Sequence, residues 1–230
     1  MKTGIAIALF LFARASAWGQ ATFDPVHKYT AGSKSEYAFK LTAKTSLGDV
    51  VLTADIAQAV AKVYENGDAD IETAVKNTAL TIDGSPGPAQ DQPATTIKMD
   101  RFGTPLTKPE GAAAGRSGRL NFLRYGLYYG EKALAAGDTY TIDRKEKDDP
   151  SIQAKGTGKL LGIEGGKARF QVSVDVTSPQ SDKPMHMDAT ATVDSATGML
   201  IELNGQLKDM PIGSSGGHAN ATFTFVKKPK

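Results

Sequence analysis

The chain has 230 residues, of which 40% are apolar, 23% charged and 7% aromatic, and it contains no cysteine. This length suits one large domain or two small ones, and the missing cysteine excludes disulfides, thiol catalysis and thiolate metal sites. The 27 basic and 25 acidic residues nearly cancel, so the charge carries no signature of a protein that binds nucleic acid or an anionic membrane.

The first 21 residues have the features of a secretory signal peptide. Lys2 supplies the positive start, residues 4–13 (GIAIALFLFA) form a short apolar core, and small residues follow. Ala17 ends an A-x-A cleavage pattern, and Ala21 is a second candidate for the cleavage site. The apolar run is too short to span a membrane. We therefore expect residues 1–21 to be removed, the protein to be exported to the periplasm or secreted, and residues 22–230 to form a single β-rich domain.

The first half of the mature chain alternates between apolar and polar residues, which is the pattern of half-buried strands. Residues 35–46 place Tyr37, Phe39 and Leu41 on one face. Residues 50–64 are mostly apolar, and their Ala-rich middle allows a helix. Their β-branched ends and the Asn-Gly turn that follows favour a long strand, with a bulge. Residues 71–82 predict a third, weaker strand.

The middle of the chain departs from this pattern. Residues 85–93 (SPGPAQDQP) predict a proline-rich loop, residues 95–102 a strand, and residues 104–118 a second irregular stretch. Residues 119–136 then change to helical spacing and predict one short helix that ends near Gly130 or Gly137. Its apolar residues are Leu120, Phe122, Leu123, Tyr125, Leu127, Tyr129 and Leu134.

The last third of the chain has the pattern of an antiparallel meander. Hairpin turns are predicted at Gly165-Gly166 and between Asp194 and Gly198. Strands are predicted over residues 139–145, 152–163, 168–177, 185–194, 199–207 and 219–226. The whole pattern predicts a mainly β fold: a curved antiparallel sheet, as a half-barrel or open barrel, with one short helix.

The sequence contains no clear catalytic or metal-binding motif. His27, His186 and His218 have no second histidine three or four residues away. Met185-His186-Met187 is a soft cluster that suits copper, but a strand would bury both methionines and turn His186 outward. No G-x-S-x-G nucleophile elbow lies between a predicted strand and a predicted helix. We therefore expect no catalytic residue, metal or cofactor.

Three segments carry a resemblance to exported bacterial proteins of half-barrel build. They are the paired strands 37–46 and 50–64, the stretch Ala133–Tyr140 (ALAAGDTY), and the hairpin Val193–Leu200 (VDSATGML). In the order of its elements the chain is similar to LolA-like lipoprotein carriers. The resemblance implies a concave sheet face that holds acyl chains beneath covering helices.

The leading hypothesis is an exported, non-enzymatic protein that binds a lipid or other amphiphile on a concave sheet face. The candidate ligand-binding residues are Tyr37, Phe39, Leu41, Leu120, Phe122, Leu123, Tyr125, Leu127 and Tyr129. The leucine stripe of the predicted helix also fits a fully packed core. One alternative function is an envelope protein–protein interaction module without a small ligand. Another is a hydrolase with a site near Ser214, Ser215 and His218.

Overall fold

The computed structural model describes residues 21–46, 48–107, 128–145, 151–179, 181–212 and 217–229. Every regular element within these ranges is a β-strand. The strands are β1 (Thr22–Phe23), β2 (Lys34–Thr45), β3 (Gly48–Val63), β4 (Ala69–Ile82), β5 (Ser85–Gly87), β6 (Gln92–Met99), β7 (Leu134–Ala135), β8 (Thr139–Lys145), β9 (Gln153–Glu164), β10 (Lys167–Thr177), β11 (Met185–Asp194), β12 (Leu200–Ile212) and β13 (Gly217–Lys227).

Eleven of these strands form one antiparallel sheet. Ten of them follow the order β5-β4-β3-β2-β13-β12-β11-β10-β9-β8, and β6 also pairs with β4. The last strand, β13, pairs with β2 and so joins the N-terminal meander to the C-terminal one. The sheet does not close into a barrel. The predicted mainly β fold with an open antiparallel sheet is therefore confirmed. Separately, no helix in the described ranges has the length and apolar composition to cross a membrane.

The long strand predicted over residues 50–64 is confirmed as β3. Its register against β4 shifts twice, between Thr53 and Asp55 and between Val60 and Lys62. Such bulges bend a strand and increase its twist. Asn77, which lies in β4 at the first shift, adopts a positive φ of 50°.

The proline-rich loop predicted over residues 85–93 is wrong at both ends. Residues 85–87 form β5, where Pro86 lies opposite Thr81 of β4, and Gln92 already begins β6. Strand β5 lies at the edge of the sheet, where a proline without an N–H is tolerated. The next predicted strand, over residues 95–102, is displaced toward the N-terminus and ends at Met99.

The helix predicted over residues 119–136 is wrong in its described part. Residues 119–127 lie outside the described residues. In the remainder, residues 128–136 contain no helix, and Gly130 has a φ of 83°, a left-handed conformation that suits glycine. Leu134 and Ala135 form β7, which pairs with β1 as a small second sheet.

One face of the large sheet carries the apolar core. In β10, for example, alternate side chains from Ala168 to Val176 are buried and those between them are mostly exposed. Phe170 of this strand stacks on Tyr129 with ring centroids 4.6 Å apart, and Phe23 of β1 meets Phe170 edge-on at 5.0 Å. All three rings are fully buried. This aromatic cluster fixes β1 and the segment before β7 against the sheet.

The predicted turn between Asp194 and Gly198 is confirmed. The Asp194 carboxylate accepts hydrogen bonds from the backbone N–H groups of Ala196 and Thr197 at 3.0 and 2.9 Å. Gly198 then leaves the turn with a φ of 71°. The last position of this turn therefore needs a residue that tolerates the left-handed region of backbone conformation, and glycine does so.

Replacing Gly198 by alanine should strain this turn. A Cβ would sit at an unfavourable φ and lie 3.4 Å from the Cα of His27. We expect Gly198→Ala to lower the free energy of unfolding by about 1 kcal/mol. Urea denaturation followed by circular dichroism measures this change, and an unchanged midpoint would count against the assigned conformation.

Candidate functional site

A cavity of about 170 Å³ lies on the apolar face where β2, β3, β4 and β6 run side by side. Strand alternation places its wall residues on one face. The wall is formed mainly by Tyr37, Ile56, Val60, Ile71, Val75 and Ile97. The volume is comparable to that of an engineered apolar cavity, about 150 Å³, that takes up benzene.

The opposite side of the cavity comes from segments outside these strands. His27 and Tyr29 precede β2, and Met199 and Leu200 lie at the start of β12. The N-terminal segment is held there by two backbone hydrogen bonds, from His27 N–H to the Arg101 carbonyl at 2.7 Å and from Lys28 N–H to the Thr197 carbonyl at 2.9 Å. Because this segment is fixed at two points, the cavity that it borders has a defined shape.

A row of uncharged polar side chains crosses the wall of the cavity. Ser35 lies opposite Gln58, and Gln58 lies opposite Thr73. Thr73 in turn lies opposite Thr95 of β6. All four residues are half-buried and line the cavity. We call these four residues the polar row.

The ionisable side chains among the described residues that line the cavity are those of His27, Tyr29 and Tyr37. No Asp, Glu, Lys or Arg is present among the described residues that line it. Burial raises the pKa of the Tyr29 and Tyr37 hydroxyls, so both stay protonated. The Tyr37 hydroxyl donates to the Leu200 carbonyl oxygen at 3.2 Å. The site therefore suits an uncharged or weakly polar molecule better than an ion.

The structure separates the residues that the sequence groups as one site. Tyr37 lines the cavity, and its ring stacks on Phe225 at 4.5 Å. Phe39 and Leu41 lie further along the same buried face, outside the cavity wall. Tyr129 is fully buried in the aromatic cluster. The remaining candidates lie outside the described residues: Leu120, Phe122, Leu123, Tyr125 and Leu127.

Sequence reasoning missed the wall residues of β3, β4 and β6. The strand pairing places Ile56 opposite Val75, and it places Ile71 opposite Ile97, so that all four line the cavity. A signal for them exists in the alternation of residues 71–75 and 95–99, whose apolar members share one face. This alternation identifies a binding site only when the pairing partners of the strands are known.

His186 lies on the opposite face of the sheet from its methionine neighbours. Met185 and Met187 are buried in the core, as a strand requires. The imidazole Nδ1 lies 2.7 Å from Asp175 Oδ1, and Nε2 lies 3.1 Å from Asp188 Oδ2. The hydrogen bond to Asp175, followed by the charge of Asp188, raises the pKa of His186 above its ordinary value of 6.5.

This pair of carboxylates should make stability depend on pH. A raised pKa means that the folded state holds the proton more tightly than the unfolded chain. The stabilisation is therefore complete below pH 6.5 and is lost as the pH rises through the folded-state pKa. We expect wild type to lose more unfolding free energy than His186→Gln over that range. Urea denaturation at a series of pH values measures the difference, and parallel curves for the two proteins would contradict the prediction.

His218 has a serine and an aspartate beside it, but on the same ring nitrogen. Ser181 Oγ lies 3.0 Å and Asp182 Oδ1 3.2 Å from His218 Nε2. A catalytic serine–histidine–aspartate arrangement uses the two ring nitrogens for different partners. The described partners therefore do not form such a triad, and Ser214 and Ser215 lie outside the described residues.

Two further findings bear on the class of protein. Within the part of the chain that the structure describes, no group of three or more His, Asp or Glu side chains is placed to hold a metal ion. Compared with models of protein families and with curated proteins, the chain matches none of them.

Proposed function

We propose that this protein is an exported, non-enzymatic binding protein that takes up the apolar part of a lipid or other amphiphile in the cavity between β2, β3, β4 and β6. The observation that supports the proposal is the mainly apolar wall of that cavity, which lies at one end of the buried face of an open sheet. Concave, largely apolar sites with a few polar groups are typical of small-molecule binding.

The position of the cavity in the sheet favours a binding site over an ordinary packing defect. Cores are packed to the density of organic crystals, and apolar voids cost stability. In β10 and β11 the same face is closely filled by fully buried side chains such as Phe170, Val172 and Met187. Near β4 and β6, by contrast, Ile71 and Val75 remain half-buried. A bound chain would complete the packing there.

A neutral fluorescent probe, N-phenyl-1-naphthylamine, tests the proposal. We expect saturable binding to wild type, and a loss of at least about tenfold in affinity for Val75→Asp, because a carboxylate in the wall is costly to bury. Ala79→Asp is the matched control, since Ala79 is exposed on the same strand, outside the cavity.

The outcome distinguishes the candidate functions. If folded wild type, checked by circular dichroism, binds no probe saturably, the carrier proposal fails and the envelope interaction module takes its place. If both aspartate variants bind like wild type, the site lies elsewhere. The contribution of Leu123 and Leu127 stays a prediction, which Leu123→Arg/Leu127→Arg tests with the same probe.

A further inference from the structure

The polar row crosses a cavity whose wall is mainly apolar. On one side it is bordered by Ile56 and by its two register partners, Tyr37 and Val75. On the other side it is bordered by Ile71 and by its two register partners, Val60 and Ile97. Residues two apart along a strand are separated by about 7 Å. A ligand that lies along the strands therefore meets apolar, polar and again apolar surface.

The side chains of the row have unused hydrogen-bonding capacity. The Ser35 side chain lies close enough to the Tyr37 hydroxyl to offset part of the rise in its pKa on burial. Among the described residues, however, none is a side-chain hydrogen-bond partner of Gln58, Thr73 or Thr95. An amide and two hydroxyls both donate and accept hydrogen bonds. Burying them under an apolar chain without partners would cost binding energy, so an occupant needs polar atoms at this level.

The charges on these strands point away from the cavity. Glu72, Lys76 and Lys98 occupy the alternate positions of β4 and β6, and none of them lines the cavity. Lys98 instead lies over the Tyr64 ring, 4.0 Å from its centroid, and 3.9 Å from the Asp68 carboxylate. Among the described residues that line the cavity, there is no Lys or Arg to pair with a carboxylate or phosphate at the polar row.

We propose that the polar row selects a neutral amphiphile whose headgroup donates hydrogen bonds from hydroxyl or amide groups and accepts them on hydroxyl, amide or ester oxygens, in preference to an anionic fatty acid. This inference rests on the proposed function and specifies the chemical class of its ligand. The headgroup of a monoacylglycerol has this chemistry, because its free hydroxyls donate and accept hydrogen bonds and its ester accepts them. Its acyl chain can then contact the apolar residues on one side of the polar row.

Isothermal titration with two ligands of equal chain length tests the preference. We expect 1-monolauroylglycerol to bind at least about tenfold more tightly than laurate at pH 8, where laurate is ionised and would enter without a partner. The double variant Thr73→Val/Thr95→Val keeps the side-chain shape and removes two hydroxyls. It should weaken monolauroylglycerol binding by about tenfold.

The matched control is Thr96→Val, because Thr96 is exposed and points to the other face of β6. It should bind both ligands as wild type does. Equal affinities for the two ligands, unchanged by the double variant, would overturn the preference and leave the proposed binding function intact. If folded protein binds neither ligand, both the preference and the proposed function are overturned.

Discussion

Replacing Leu160 by alanine is expected to lower the free energy of unfolding by about 3 kcal/mol, within the range of about 2–5 kcal/mol for buried leucines. Leu160 is fully buried in β9 and lies opposite Phe170, a member of the aromatic cluster. The loss combines the transfer of the removed methyl groups with the cavity left behind. A free energy of this size is a large part of the stability of a typical domain.

The next residue supplies the control. Leu161 is 45% exposed, and it has no partner in the register because β9 has a bulge against β10 at this point. We expect Leu161→Ala to cost less than about 1 kcal/mol. Urea denaturation of both variants, with unchanged slopes, measures the difference. Equal costs at the two positions would show that the buried and exposed faces of β9 are wrongly assigned.

Replacing Gly156 by alanine is expected to disrupt the pairing of β9 with β10. A Cβ on Gly156 would overlap the Ser173 carbonyl oxygen and lie 2.7 Å from the Cα of Val174. These are backbone atoms, so no side-chain rotation relieves the overlap and the strands must separate. We expect a loss of about 2–3 kcal/mol of unfolding free energy.

Gly162 of the same strand is the matched position. A Cβ on Gly162 would have no other atom within 4 Å, and the backbone of Gly162 does not adopt a positive φ. We expect Gly162→Ala to be neutral or to stabilise the protein by a few tenths of a kcal/mol, because alanine restricts the unfolded chain. Thermal melting of the two variants checks this, and a Gly156→Ala protein as stable as Gly162→Ala would contradict the close approach of β9 and β10.

The C-terminal meander was predictable because most of its strands alternate between apolar and polar residues and are separated by turn residues. The predicted bounds 139–145 and 185–194 coincide with β8 and β11. The structure of the middle of the chain was harder to predict from the sequence. Proline marks residues 85–93 as a loop, yet an edge position lets Pro86 join a strand. The spacing of leucines favoured a helix, yet Leu134 lies in a two-residue strand whose partner, β1, is more than one hundred residues earlier.

The candidate site was predictable only in part. Tyr37 was placed on the inward face of its strand by alternation alone. The polar row was not, because Gln58, Thr73 and Thr95 look like ordinary exposed strand residues until they are brought into register. Two of the three contacts that form the row pass through strands with register shifts. The sequence predicts a bulge within residues 50–64 but does not give the positions of these shifts.

Methyl NMR of isoleucine-labelled protein tests the central claim most directly. Ile56, Ile71 and Ile97 line the cavity, whereas Ile142 is fully buried in β8, near the other edge of the sheet. On titration with 1-monolauroylglycerol we predict saturable shifts of the three cavity methyl resonances and an unmoved Ile142. The absence of saturable shifts at the three cavity positions, or shifts centred on Ile142, would contradict an amphiphile site between β2, β3, β4 and β6.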